Sequence, residues 1–172
     1  MNDPLAYFLT WHTYGTWLHG DERGSVDRKH NGFEEPFVPA NDGRRGWEET
    51  ARMSSAFRLE DSLRIIVQDA VIRTAKHRDW RLLAVHVRTT HVHIVVVAAD
   101  VAPERVMNDF KAYATRSLRQ VDAALARVWS RHGSTRYLWT DDHVCDAMTY
   151  VVEKQGRVLY PLPYLDDEFR RQ

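Results

Sequence analysis

Residues 81–97 constrain this chain more than any other stretch. Arg81-Leu82-Leu83-Ala84-Val85-His86-Val87 and His91-Val92-His93-Ile94-Val95-Val96-Val97 are runs dense in aliphatic and β-branched residues, joined by Arg88-Thr89-Thr90. Two such runs with so short a connection predict an antiparallel hairpin. Successive side chains on a strand point to opposite faces, so Val92, Ile94 and Val96 go to a core and His91 and His93 share the other face. Two imidazoles placed that way can hold one metal ion, or can be two polar residues on a wet sheet face.

The rest of the chain supplies helices and strands around this hairpin. An opening strand is predicted over Leu5 to Thr13. A helix follows from near Glu60 to His77, with Leu63, Ile66, Val67, Ala70 and Val71 at helical spacing. Pro103 opens a second helix carried by Val106, Phe110, Tyr113, Ala114 and Leu118. Arg136 to Trp139 makes a short strand, and a last helix carries Tyr150 between an N-cap at Thr140 or Asp141 and a terminal Gly156. The order β-α-β-β-α-β is the ferredoxin-like split pattern, an α+β fold with an antiparallel sheet, here with an added C-terminal tyrosine helix. A parallel Rossmann arrangement lacks its glycine fingerprint.

On the last helix, steps of about 100° per residue put His143, Asp146, Tyr150, Glu153 and Lys154 on one flank. The tyrosine therefore has polar company. A phenol with a pKa near 10 is a poor nucleophile unless a base or a cation favours the phenolate.

A strand His-x-His pair followed by a tyrosine on a late helix resembles the single-tyrosine HUH transposases, and among them the REP-associated tyrosine transposase-like proteins. The resemblance runs through Tyr7-Phe8-Leu9-Thr10-Trp11-His12, the block from Gly15 to Gly24, His91-Val92-His93, Phe110-Lys111-Ala112-Tyr113-Ala114-Thr115-Arg116 and Tyr150-Val151-Val152-Glu153. It implies a metal-dependent single-strand DNA endonuclease and strand transferase acting at hairpin-associated sites. Tyr150 would be the nucleophile forming a 5′-phosphotyrosine link, with His91 and His93 holding Mg²⁺ or Mn²⁺. Related enzymes place an amide four residues after the tyrosine, where this chain has Lys154, which cannot ligate while protonated. Glu153, about 60° from Tyr150 around the helix, is the expected substitute; Gln155 at about 140°, Asp146 and His143 are the alternatives. Lys154 also keeps open a hairpin-binding protein that has lost cleavage. A third reading is a metal-dependent phosphodiesterase that uses activated water. Both a homodimer and a self-contained monomer are compatible with the resemblance.

The charge balance is even, 24 basic against 24 acidic residues, but its distribution is not. From Lys111 to Arg136 the cations Lys111, Arg116, Arg119, Arg127, Arg131 and Arg136 face the single acid Asp122, with Trp129, Tyr137 and Trp139 interleaved or adjacent. Cations with aromatics suit phosphates and stacked bases, so Lys111, Arg116, Arg119, Arg131 and Arg136, with Arg23 from the long segment, are the predicted DNA contacts. The segment 20–57, rich in Gly, Pro, Asn and charge, is expected as an inserted loop that recognises a DNA hairpin. The tail 157–172 is expected to pack across the domain or over the active site. With 172 residues and 44% hydrophobic content, one catalytic domain over 1–172 is expected. The single Cys145 excludes an internal disulfide, and its neighbours predict a buried thiol. No leader and no membrane-length apolar run is seen, which predicts a cytoplasmic protein with no membrane partner.

Overall fold

The computed structural model describes residues 3–16 and 56–168. In chain order the elements are β1 (Ala6–Thr13), α1 (Asp61–His77), β2 (Arg81–Val87), β3 (His91–Val97), α2 (Pro103–Val121), β4 (Trp129–Leu138), α3 (Asp141–Glu153) and β5 (Tyr164–Leu165). The strands form one antiparallel sheet in the order β4-β1-β3-β2-β5. This is the expected α+β split pattern with its tyrosine helix added.

Strand alternation sorts the side chains into two layers. Tyr7, Leu9, Trp11, Val85, Val92, Ile94 and Val96 point to one side, where α1 and α2 cover them with Val67, Val71, Phe110 and Leu118. Trp11 and Phe110 are fully buried and stack with centroids 6.5 Å apart; burying each such side chain contributes about 1.5–3 kcal/mol. On the other side, Ala6, Phe8, Ala84 and Val95 meet Val144, Ala147, Met148 and Val151 of α3. Between Leu82 and Ala84 the β2–β3 register slips by one residue. That bulge turns Leu83 and Ala84 together toward α3. Among the described residues no helix is long and apolar enough to cross a membrane.

β4 is longer than expected, because Ser130-Arg131-His132-Gly133-Ser134 carries no β-branched signal and is drawn into the sheet by pairing with β1. A Cβ built on Gly133 would stand 2.6 Å from both Met107 Sδ and the Thr10 carbonyl. Backbone oxygen cannot yield as a flexible side chain can. Gly133→Ala is expected to lower stability by about 1–3 kcal/mol in urea unfolding, and an unchanged midpoint would show that β4 is looser at this point than the contact implies.

The described part of the tail, through residue 168, packs along the β2 edge of the sheet. Gln68 Nε2 donates to the Leu162 carbonyl at 3.0 Å, Tyr164 and Leu165 pair with Val85 and Ala84, and Arg81 bridges Asp166 and Glu168. It closes part of the β2 edge, the other edge of the sheet being β4. Cys145 is exposed, against expectation. The apolar face of α3 runs through Val144, Ala147, Met148 and Val151, and a residue one step from Val144 is rotated about 100° off it.

Candidate functional site

Register sets three rows of side chains on the α3 face of the sheet. Arg136, Phe8, Val95 and Ala84 form the first, Ser134, Thr10, His93 and His86 the second, and His12 with His91 the third. His91 and His93 lie with ring centroids 4.7 Å apart, and His12 stands 5.5 Å from His91. The Thr10 hydroxyl is 2.8 Å from His93 Nδ1, which orients the ring and leaves Nε2 as the nitrogen for a ligand. Burial, then the neighbouring imidazoles His91, His12 and His86, hold His93 well below the ordinary histidine range. His93 is therefore a neutral imidazole at physiological pH, the form that binds metals.

α3 brings Tyr150 to this face. Its N-cap is Thr140, whose Oγ1 accepts from the His143 amide at 3.2 Å. The Tyr150 ring meets His93 edge-on at 5.6 Å and Phe8 at 5.8 Å, while the residue stays 42% exposed. The phenol is thus held by its ring and open to solvent. Beneath it His86, 1% exposed, donates from Nδ1 to the Val151 carbonyl at 2.9 Å. Burial lowers the His86 pKa although this bond opposes the shift, so the ring is neutral with its N–H on Nδ1. It fastens α3 to the sheet one residue from the tyrosine. His86 thus has a structural role, whereas His12 lies beside His91. Phe8, Thr10 and His12 alternate on β1, a signal that points to the site only once β1 is paired with β3.

Glu153 is not the residue that joins the histidines. It is exposed, and among the described residues no group of three His, Cys, Asp or Glu side chains is placed to hold a metal ion. Gln155 is the residue whose side chain reaches His93. Its Nε2 donates to the Tyr150 carbonyl at 3.1 Å, and its side chain also hydrogen-bonds His93. The reason is the helix end: α3 stops at Glu153, Lys154 caps it and Gly156 turns with φ +71°. The 140° rotation that counted against Gln155 assumed a helix continuing past that point. Two imidazoles and one amide oxygen suit a divalent ion that accepts nitrogen and oxygen donors.

The expected DNA contacts divide. Arg136 pairs in register with Phe8 and so shares the histidine face. Arg131 is exposed on β4, and Arg23 lies outside the described residues, as does most of the segment 20–57. Arg116 and Arg119 belong to α2, across the sheet, and Arg119 donates to the carbonyls of Leu125 and Ala126. Lys111 is a correction: it is buried, and its Nζ donates to the Ser130 and His132 carbonyls at 3.1 and 3.2 Å. It pins the irregular start of β4 rather than meeting phosphate. Tyr113, a second helical tyrosine near basic residues, also sits on α2 away from the histidines.

Burial pulls the Lys111 ammonium down to about 8. The unfolded chain then binds more protons than the folded one between pH 8 and the ordinary lysine value, so stability rises with pH across that window. The expected gain is up to about 3 kcal/mol, from about 1.4 kcal/mol per pKa unit. Urea titrations of wild type and Lys111→Met over pH 7–10.5 check it; equal slopes in the two proteins would remove Lys111 as the cause.

The model of the IS200-like transposase family matches residues 53–155, more than half of the chain. No curated protein matches it. Among solved structures, a REP-associated tyrosine transposase bound to a REP hairpin aligns over 99% of this chain and 79% of its own, with 13% identity and a TM-score of 0.52. A candidate transposase from Deinococcus radiodurans aligns over 90% of this chain and 93% of its own, with 14% identity and a TM-score of 0.44. The first of these likenesses bears on the fold, and the family match, spanning α1 through the tyrosine helix, decides the membership: the chain belongs to the IS200-like transposase family.

Proposed function

We propose that this chain cleaves and transfers a single DNA strand at a hairpin-associated site, with Tyr150 as the nucleophile. The observation that carries this reading is the contact of the Tyr150 ring with His93 inside one chain, 5.6 Å between centroids, with the phenol exposed to an incoming strand. Phe8 and His93 fix the ring, and the His86 bond to Val151 fixes the helix turn that bears it. The phenolic oxygen attacks phosphorus, the bond from phosphorus to the 3′-oxygen breaks, and the phenol proton is lost as the 3′-oxygen gains one. A 3′-hydroxyl of another strand then attacks the phosphotyrosine by the reverse path, releasing Tyr150. His91, His93 and Gln155 would hold Mg²⁺ or Mn²⁺, and such an ion would supply charge neutralisation at the phosphate. Arg136 on the same face serves the strand backbone. Packing of α3 on its own sheet favours a tyrosine acting with the histidines of the same chain.

The test is a covalent adduct. Wild type incubated with Mn²⁺ and a labelled single strand flanking a hairpin is expected to shift on a denaturing gel, with peptide mapping placing the nucleotide on Tyr150. An adduct on Tyr113, or cleavage without any adduct, would overturn the assignment, the latter in favour of activated water.

A further inference from the structure

The outer surface of the α1–α2 layer, on the side of the sheet away from His93 and Tyr150, holds a cavity of about 310 Å³. α1 contributes Arg73 and His77 to it, and α2 contributes Tyr113, Arg116 and Gln120. No acidic side chain lines it. The Arg116 guanidinium lies 4.9 Å from the centre of the Tyr113 ring, Arg78 lies 5.9 Å from the same ring, and the His77 ring lies tilted beside it at 6.1 Å. Arg78 is engaged with Asp109 at 2.9 Å, whereas Arg73 and Arg116 make no ion pair among the described residues. Two guanidiniums, one from each helix, therefore flank a concave polar groove, and one of them is held in place by an aromatic face.

We propose that this groove is a second DNA site, taking the phosphate backbone of a duplex segment, with Arg73 and Arg116 each on a phosphate. Guanidinium forks match phosphate oxygens, and a ring that already carries guanidiniums orders them at little entropic cost. The same ring packing argues against a single strand. Single-strand binding draws on bases stacking upon open aromatic faces, and the Tyr113 ring is already occupied. The groove and the tyrosine lie on opposite sides of the sheet, so the duplex held here is a part of the DNA distinct from the strand at Tyr150. The inference rests on the reading that the chain processes DNA, but not on its chemistry.

The experiment measures binding of a labelled blunt duplex to the full chain by fluorescence anisotropy in EDTA, between about 50 and 200 mM salt. Because no cleavage occurs, the result is independent of whether an adduct forms at Tyr150. Each phosphate contact contributes about −0.9 to the slope of log affinity against log salt. Arg73→Ala/Arg116→Ala is therefore expected to flatten the slope by about 1.8 and to weaken binding at least tenfold at low salt, while Arg73→Lys/Arg116→Lys keeps most of both. If the double alanine variant unfolds, the single Arg73→Gln and Arg116→Gln variants are expected to lose about 0.9 each. Unchanged slope in these variants, absence of duplex binding by wild type, or displacement of the duplex by inorganic phosphate at constant ionic strength would each overturn the proposal.

Discussion

Tyr150→Phe is expected to abolish covalent capture of DNA and to lower cleavage by a factor on the order of 10⁴ or more, the scale seen when a nucleophile is removed from a preorganised site. The substitution deletes one oxygen. The ring contacts with Phe8 and His93 need only the ring, and the residue is 42% exposed, so the folded state should lose little and the unfolding midpoint should hold. Strand binding should also hold, since neither the histidine face nor Arg136 changes. Measuring adduct, cleavage and binding on one preparation separates a nucleophile from a bystander: a bystander would lose none of the three, and a packing residue would lose stability first. Retention of more than a tenth of wild-type cleavage would remove Tyr150 from the mechanism.

Gln155→Ala is expected to raise the Mn²⁺ concentration needed for half-maximal cleavage by about 10–100-fold, the range for losing a supporting group at a metal site, and Glu153→Ala to leave it alone. His93→Ala should go further and eliminate measurable Mn²⁺ binding, because His93 is the imidazole on which Thr10, Gln155 and Tyr150 converge. Calorimetric titration of Mn²⁺ into each protein without DNA gives a readout separate from turnover. The reverse order, with Glu153→Ala weak and Gln155→Ala normal, would restore the carboxylate as the third ligand.

The parts of this structure that were legible in the sequence are those where one local period dominates. The β2–β3 hairpin, the burial of Val92, Ile94 and Val96, and the helices carrying Phe110 and Tyr150 all follow from alternation or helical spacing within a single segment. What escaped depends on two segments at once. Lys111 reads as a surface cation on its helix and becomes an internal donor because Ser130 and His132 bring carbonyls to it. Gly133 sits in a polar stretch with no strand signal, yet the sheet recruits that stretch through β1. The position of Gln155 escapes for a related reason: a helical wheel has no meaning past the last helical residue, and Gln155 lies two positions beyond it. Tyr164 and Leu165 make a strand of two residues, too short for any period to mark.

The hydrogen bond from His86 to the Val151 carbonyl has a side chain at one end and main chain at the other. Mutational tolerance at the two positions should therefore be unequal. Position 151 presents an oxygen whatever residue occupies it, so aliphatic replacements that fill the same space keep the link between sheet and helix. Position 86 has no such freedom, because a buried donor of the right reach must come from the side chain itself. The placement of Tyr150 thus rests on a buried sheet residue, and drift in the sequence of α3 can proceed without moving the tyrosine.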